Sequence, residues 1–271
     1  MTLATADFDF VRAMVHRHSA IVLDPGKEYL VESRLTSVAR GEGFATLAQF
    51  IAALRQTPVG PAQKKVIEAM TTNETSFFRD IHPFDALRKD VLPPLLTARA
   101  AQKRLRIWCG ASSSGQEPYT IAMVLREILP IGWEARITAT DISEEMLQRT
   151  RAGRYSQLEV NRGLPAPMLV RHFTKAGTEW TVKDELRSMI ETQFVNLIEP
   201  WPPWQPFDVV FLRNVLIYFD VPTKRAILQK IRQHLRPDGW LFLGGAETTL
   251  GIDDSWQRVT AGKTVCYRPT G

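Results

Sequence analysis

Two features of this chain could do chemistry together: a loop of small residues and an acid on the strand that follows it. The run Arg106-Ile-Trp-Cys-Gly-Ala-Ser-Ser-Ser-Gly-Gln-Glu-Pro-Tyr119 carries an apolar strand into Gly and Ser and then into a helix. The run Ala135-Arg-Ile-Thr-Ala-Thr-Asp141 is a second strand, ending on a carboxylate. Small loop residues let a ligand approach the backbone, and an acid at a strand tip accepts hydrogen bonds from ribose hydroxyls. The pair predicts a nucleoside-cofactor site on an α/β sheet. Ser112 and Ser113 break the G-x-G-x-x-G spacing of dinucleotide loops, whose bare backbone meets a pyrophosphate. An adenosine without phosphates, as in S-adenosylmethionine, suits this loop better.

Arg213 ends the apolar run Phe207 to Leu212, at the strand end where open α/β sheets bind ligands. A charge at that place is costly without a partner, which favours a role in the site. The histidines and the two cysteines, Cys109 and Cys266, have no metal-ligand spacing, so no metal is expected. No Ser-His-Asp or Cys-His arrangement is readable from the order of residues.

The elements that must hold these residues follow from hydrophobic periodicity. Residues 7 to about 70 read as helices alone, with Phe10, Met14, Val15 and His18, then Val31, Leu35 and Val38, then Leu47, Phe50, Ile51 and Leu54 at helical spacing. From residue 84 helices and strands alternate: helix 84–99, strand 105–109, helix 117–129, strand 136–140, and helix 143–151 capped by Ser143. The continuously apolar strand 207–213 reads as parallel and buried on both faces. Helix 222–235, strand 240–244 and a hairpin over 257–267 close the chain. Residues 153–193, including Ile190 to Val195, depart from this rhythm and read as a small β-rich insertion. The expected organisation is a helical domain over 1–70, a linker over 71–83 that contributes to the site, and an α/β domain over 84–271 with a β subdomain within 153–193.

The chain has 271 residues, 44% of them hydrophobic, and a net charge of +5. Asp7 and Asp9 interrupt the N-terminus before any apolar run of signal-peptide length, and no segment is long enough to span a bilayer. A reducing cytoplasm is the expected home. Basic clusters at Lys64-Lys65 and Lys103 to Arg106 lack interleaved aromatics, so they read as solvated faces rather than a nucleic-acid groove.

Taken together, Asn73-Glu-Thr-Ser-Phe-Phe-Arg79, Ser114-Gly-Gln-Glu-Pro-Tyr119, Ala139-Thr-Asp141, Asn196-Leu197 and Arg213-Asn-Val-Leu-Ile-Tyr-Phe219 resemble the chemotaxis receptor methyltransferases. The resemblance covers nearly the whole chain in order. It implies a Rossmann-like class I methyltransferase sheet with a small helical N-terminal domain, binding S-adenosylmethionine and releasing S-adenosylhomocysteine. It implies cofactor contacts from Asn73, Thr75, Arg79, Glu117, Asp141, Asn196, Leu197, Arg213 and Asn214, with Arg79 and Tyr218 at the reaction centre. A plainer reading of Arg79 is a surface salt bridge to Asp80 or Asp85. Gln116 stands where many relatives carry an acid, and Cys109-Gly110 where Ser and Ala are usual.

The implied reaction is methyl transfer to glutamate side chains in chemoreceptor cytoplasmic domains, by a monomer. Methyl transfer to a small molecule or RNA, and a cofactor-binding adaptor without turnover, are the alternatives. The resemblance also places a receptor-facing basic helix over Lys27 to Arg40, where Arg34 and Arg40 match and Ser37 departs. Some relatives bind a receptor C-terminal pentapeptide through a three-stranded insertion. The short link Thr174 to Trp180 predicts that this enzyme does not need that tether.

Overall fold

The computed structural model describes residues 3–58 and 60–270. The chain divides into two compact units, one running to Thr72 and including Tyr218–Thr223, the other comprising Asn73–Ile217 and the chain from Lys224 onward.

The first unit is helical: α1 (Thr5–Ser19), α2 (Glu28–Gly41), α3 (Leu47–Gln56) and α4 (Pro61–Met70). The residues at helical spacing form its core, with Phe8, Val11, Val15, Val31, Leu35, Phe50, Ile51, Leu54, Val66 and Met70 buried together. Burying each such side chain contributes roughly 1.5–3 kcal/mol. Thr46 caps α3 by accepting from Gln49 N–H at 3.2 Å, and Pro61 occupies the first turn of α4. The other end of α4 is closed by a distant residue. Arg34 Nη1 donates to the carbonyls of Met70 at 2.9 Å and Thr71 at 2.8 Å, and Nη2 to Thr72 Oγ1 at 3.2 Å. Arg34 thus caps a helix terminus within the unit. Arg40 of the same helix is exposed.

The strands of the second unit are β1 (Arg104–Gly110), β2 (Glu134–Asp141), β3 (Arg154–Ser156), β4 (Phe173–Ala176), β5 (Glu179–Val182), β6 (Ile190–Phe194), β7 (Phe207–Leu212), β8 (Leu235–Leu243), β9 (Trp256–Ala261) and β10 (Thr264–Pro269). The main sheet has the order β6-β2-β1-β7-β8-β10-β9. The five strands from β6 to β8 are parallel, and β10 lies antiparallel between β8 and β9. This is the Rossmann-like order that the resemblance implies. Every residue of β7 is buried, as a strand covered on both faces requires. The chain leaves β1 toward β2 on one side and returns to β7 on the other, so the switch point of the sheet lies between β1 and β7.

Two details differ from the sequence expectation. Ile190–Phe194 pairs in parallel with β2, from Ile137 opposite Ile190 to Asp141 opposite Phe194, and so belongs to the main sheet. A β-rich run beside an insertion carries no mark of which sheet it joins. The insertion itself is a three-stranded sheet, β3-β5-β4, interspersed with the short helices Gln157–Asn161 and Ala166–His172. The helix expected over 84–99 begins at His82 and contains a π-helical turn, Leu87–Val91, just before Pro93 and Pro94. A π turn relieves the ladder where proline removes a donor.

Candidate active site

Parallel pairing brings the strand ends into one row. Gly110 stands opposite Thr140 and Leu212, Leu212 opposite Leu243, and Asp141 opposite Phe194. The residues that follow, Ala111, Asp141, Asn196, Arg213 and Gly244, therefore lie along one rim of the sheet across its switch point.

The small-residue loop is held from behind. Tyr155 Oη donates to the Ser114 carbonyl at 2.8 Å, and Thr150 Oγ1 to the Ser113 carbonyl at 3.1 Å. Burial pushes the Tyr155 hydroxyl well above its ordinary pKa, which keeps it a neutral donor. Gly115 has a φ of 97°, and a Cβ there would sit 2.8 Å from the Tyr155 hydroxyl. A Cβ on Gly110 would meet Leu212 Cδ1 at 2.7 Å, the far end of a flexible side chain, so Gly115 is the position that needs glycine. Asp141 is buried, and its two oxygens accept from Ser113 N–H at 2.8 Å and Ser143 N–H at 2.9 Å. These bonds fix the carboxylate at the end of β2.

Arg213 has a side chain only 1% exposed. Its Nη1 donates to Glu117 Oε2, while Nη2 donates to Asp80 Oδ2 at 2.7 Å and to the Arg79 carbonyl at 3.0 Å. The guanidinium also stands over the Phe84 ring at 5.5 Å. It ties the first turn of helix Gln116–Ile128 to the segment around Arg79. The second Glu117 oxygen accepts from the Cys109 thiol at 3.4 Å. Burial, reinforced by the Glu117 charge, holds that thiol well above its ordinary pKa. Cys109 is a neutral donor, not a nucleophile.

The segment from Asn73 to Arg79 is anchored by its aromatics. Phe77 is buried edge-on to Tyr155 and Phe173, and Phe78 packs edge-on to Phe84. Its backbone is pinned by Ser113 Oγ donating to the Asn73 carbonyl at 2.9 Å and by Phe78 N–H donating to Thr120 Oγ1 at 3.1 Å. Arg79, half-buried, donates to the Glu74 carbonyl at 2.8 Å. Asp80 pairs with Arg213 and Asp85 with Arg88, so neither acid pairs with Arg79. Its fork keeps further N–H donors beyond that bond.

The backbone is strained around this rim. Among the described residues Phe78, Asp80, Ile81, Ala111, Ser113 and Asn214 carry positive φ between 26° and 65°, and the other non-glycine cases are Ala20 and Lys103. Each such residue costs on the order of 1–3 kcal/mol, and such strain gathers at functional sites.

Asn196 and Leu197 form the turn after β6. Asn196 Oδ1 accepts from Ile198 N–H at 3.3 Å and its Nδ2 donates to Glu199 Oε1 at 3.2 Å. The buried Leu197 offers its carbonyl to Lys230 Nζ at 2.9 Å. The second unit thus holds Asn73, Thr75, Arg79, Glu117, Asp141, Asn196, Leu197, Arg213 and Asn214. Tyr218 groups with the helical unit, where its carbonyl accepts Val22 N–H at 2.9 Å. Glu247, which sequence reasoning passed over, accepts backbone hydrogen bonds from the loop that starts at Asn214. An acid shortly after the glycine pair ending an apolar strand, Gly244-Gly245-Ala246-Glu247, was its only signal. Among the described residues no group of three or more His, Cys, Asp or Glu could hold a metal ion.

Comparison with known proteins bears on this geometry directly. Residues 73–265 match the model of the CheR methyltransferase, SAM binding domain, and residues 6–71 that of the CheR methyltransferase, all-alpha domain. The chain belongs to the CheR methyltransferase family. Chemotaxis protein methyltransferase 1 of Pseudomonas aeruginosa is 41% identical over 276 residues, covering 99% of each chain. Chemotaxis protein methyltransferase Cher2 of Pseudomonas putida is 38% identical, also over 99% of each. A chemotaxis protein methyltransferase of Vibrio parahaemolyticus is 36% identical, covering 99% of this chain and 98% of the relative. As a CheR methyltransferase this protein is an S-adenosylmethionine-dependent enzyme, and the rim described above fits that cofactor: a loop of small residues from Gly110 to Gly115, and a fixed carboxylate at Asp141.

Proposed function

We propose that the protein methylates glutamate side chains in the cytoplasmic domains of chemoreceptors, forming methyl esters for sensory adaptation. The observation that carries this reading is the half-buried Arg79 fork, anchored on its own segment and, among the described residues, in no salt bridge. When bound, S-adenosylmethionine supplies an electrophilic methyl on a sulfonium centre. A glutamate, with an unperturbed pKa of about 4.3, is already the anionic nucleophile at neutral pH. The chain must therefore orient the acceptor rather than deprotonate it. Arg79 holds the carboxylate, Asp141 takes the ribose, and Glu117, fixed by Arg213, offers a carboxylate oxygen toward the methionine ammonium. Asn73, Thr75, Asn196, Leu197 and Asn214 complete the cofactor contacts, and the role of Tyr218 beside the transferred methyl is what the resemblance implies. Charge is lost in the transition state, so a partly dry pocket and in-line placement favour reaction.

The same reading makes the helical unit the receptor-recognition part of a cytoplasmic monomer, with exposed Arg40 on the docking face. The β4–β5 hairpin has Ala176 opposite Glu179, leaving only Gly177 and Thr178 in the turn. So short a turn supports methylation without a pentapeptide tether, and micromolar binding of a receptor C-terminal pentapeptide would count against it. Mapping methylated peptides after incubation with the cofactor and a receptor cytoplasmic fragment tests the main reading. Methyl groups on glutamates are expected, and methylation elsewhere would redirect it to another acceptor.

A further inference from the structure

Beyond the groups that touch cofactor or acceptor, we infer that Glu247 is a positioning residue, a carboxylate that holds the loop after β7 in its working shape. The inference rests on the reading that Arg213 and Asn214 contact the cofactor. Glu247 Oε2 accepts from Asn214 N–H at 2.8 Å and from Gly244 N–H at 2.6 Å. Its Oε1 accepts from Val215 N–H at 2.9 Å and from Ile217 N–H at 3.3 Å. Four backbone donors from the ends of two neighbouring parallel strands thus converge on one side chain.

The geometry explains why an acid stands there. Asn214 is in the left-handed region, with φ of 59°, and the chain then turns through the 3-10 segment Leu216–Tyr218. Successive N–H groups in such a bend point the same way and make a concave site for an anion. Here the anion is the protein's own carboxylate, delivered by a turn in which Glu247 N–H donates to the Gly244 carbonyl at 2.9 Å. Gly244 leaves the room: a Cβ on it would lie 2.6 Å from Asn214 Nδ2 and 2.7 Å from Glu247 Oε2. Glycine at 244 and the carboxylate at 247 therefore fix one thing together, the conformation of Asn214 and the turn beyond it. Charge-assisted bonds of this kind are stronger than neutral ones, so a glutamine of the same shape is a poor substitute, since its NH2 would face N–H donors.

The test measures methyl transfer to a chemoreceptor cytoplasmic fragment, cofactor affinity by calorimetry and thermal unfolding for Glu247→Gln, Gly244→Ala and Asn214→Ala. For Glu247→Gln the expected result is a folded protein of near-normal melting temperature and receptor KM, with cofactor affinity lowered several-fold, roughly 3- to 10-fold, and kcat lowered roughly 10- to 100-fold, as small misplacements of reacting groups produce. Gly244→Ala, which keeps every charge, should give the same split, and it decides the matter if Glu247→Gln fails to fold. Wild-type kcat and cofactor affinity in either folded variant, or losses that only follow a lowered melting temperature, overturn the positioning role. Asn214→Ala separates the two levels. If it is slow while Glu247→Gln is normal, the positioning role alone falls; if both are normal, the loop does not contact the cofactor.

Discussion

The guanidinium of Arg213 and the carboxylate of Glu117 form an ion pair inside the second unit, joining the residue after β7 to the first turn of the helix after β1. The pair spans the switch point of the sheet. It also sets Glu117, since the Cys109 thiol holds the other oxygen. Removing one member of a buried pair leaves the other charge stranded, at about 3–5 kcal/mol. Asp80, the second partner, is about half exposed at 54% and recovers water. Arg213→Met should therefore destabilise the protein by about 3 kcal/mol in denaturant unfolding and weaken cofactor binding. Wild-type stability would mean that the pair is not formed in solution.

Asp141 should govern cofactor affinity. Asp141→Ala strands Ser113 and Ser143 N–H as well as the ribose hydroxyls, and should weaken S-adenosylmethionine binding by about 1–3 kcal/mol in calorimetry. A folded variant with unchanged affinity would take Asp141 out of the site.

Arg79→Lys keeps the charge but loses the planar fork, so a clear fall in methyl transfer with little change in melting temperature is expected. Equal rates in the two proteins would leave Arg79 without a role in orienting the acceptor.

The Cys109 thiol, pushed up by burial and by Glu117, carries no appreciable thiolate at neutral pH. Iodoacetamide at neutral pH should leave it unmodified in the folded enzyme and label it on unfolding, and the methylation rate should be nearly level from pH 6 to 8, about the range over which a histidine base would show itself. Rapid labelling of the folded protein, or a steep rise through that range, contradicts this assignment.

Much of the site was legible because its signals are local. A strand running into Gly and Ser, and a strand ending on Asp141, are each read within a few residues. What stayed hidden depends on chain segments far apart. Glu247 bonds to backbone N–H groups 30 and more residues away, and a backbone donor leaves no trace in residue type. Arg34 sits at helical spacing on α2, yet nothing in that spacing shows that the carbonyls ending α4 lie beside it. Ile190–Phe194 has the composition of a strand, but only its pairing with β2 assigns it to the main sheet.

The helical unit offers a way to separate docking from folding. Arg40→Glu should lower receptor methylation most at low salt, where steering is strongest, while cofactor affinity and melting temperature hold. Arg34→Glu should instead lower the melting temperature, because it sets a carboxylate against the carbonyls that end α4. Receptor methylation by Arg40→Glu at the wild-type rate at every salt concentration would remove Arg40 from the docking face.

The most direct test of the central claim is the chemistry of the bond that is formed. The enzyme, S-adenosylmethionine labelled in its methyl group and a chemoreceptor cytoplasmic fragment are incubated together, and the labelled protein is then treated with mild base. Methyl esters of glutamate hydrolyse under these conditions, so the label should leave the fragment as volatile methanol, and a fragment whose methyl-accepting glutamates are replaced by alanine should take up none. Label that resists base, or that appears equally on the alanine fragment, would contradict glutamate methylation.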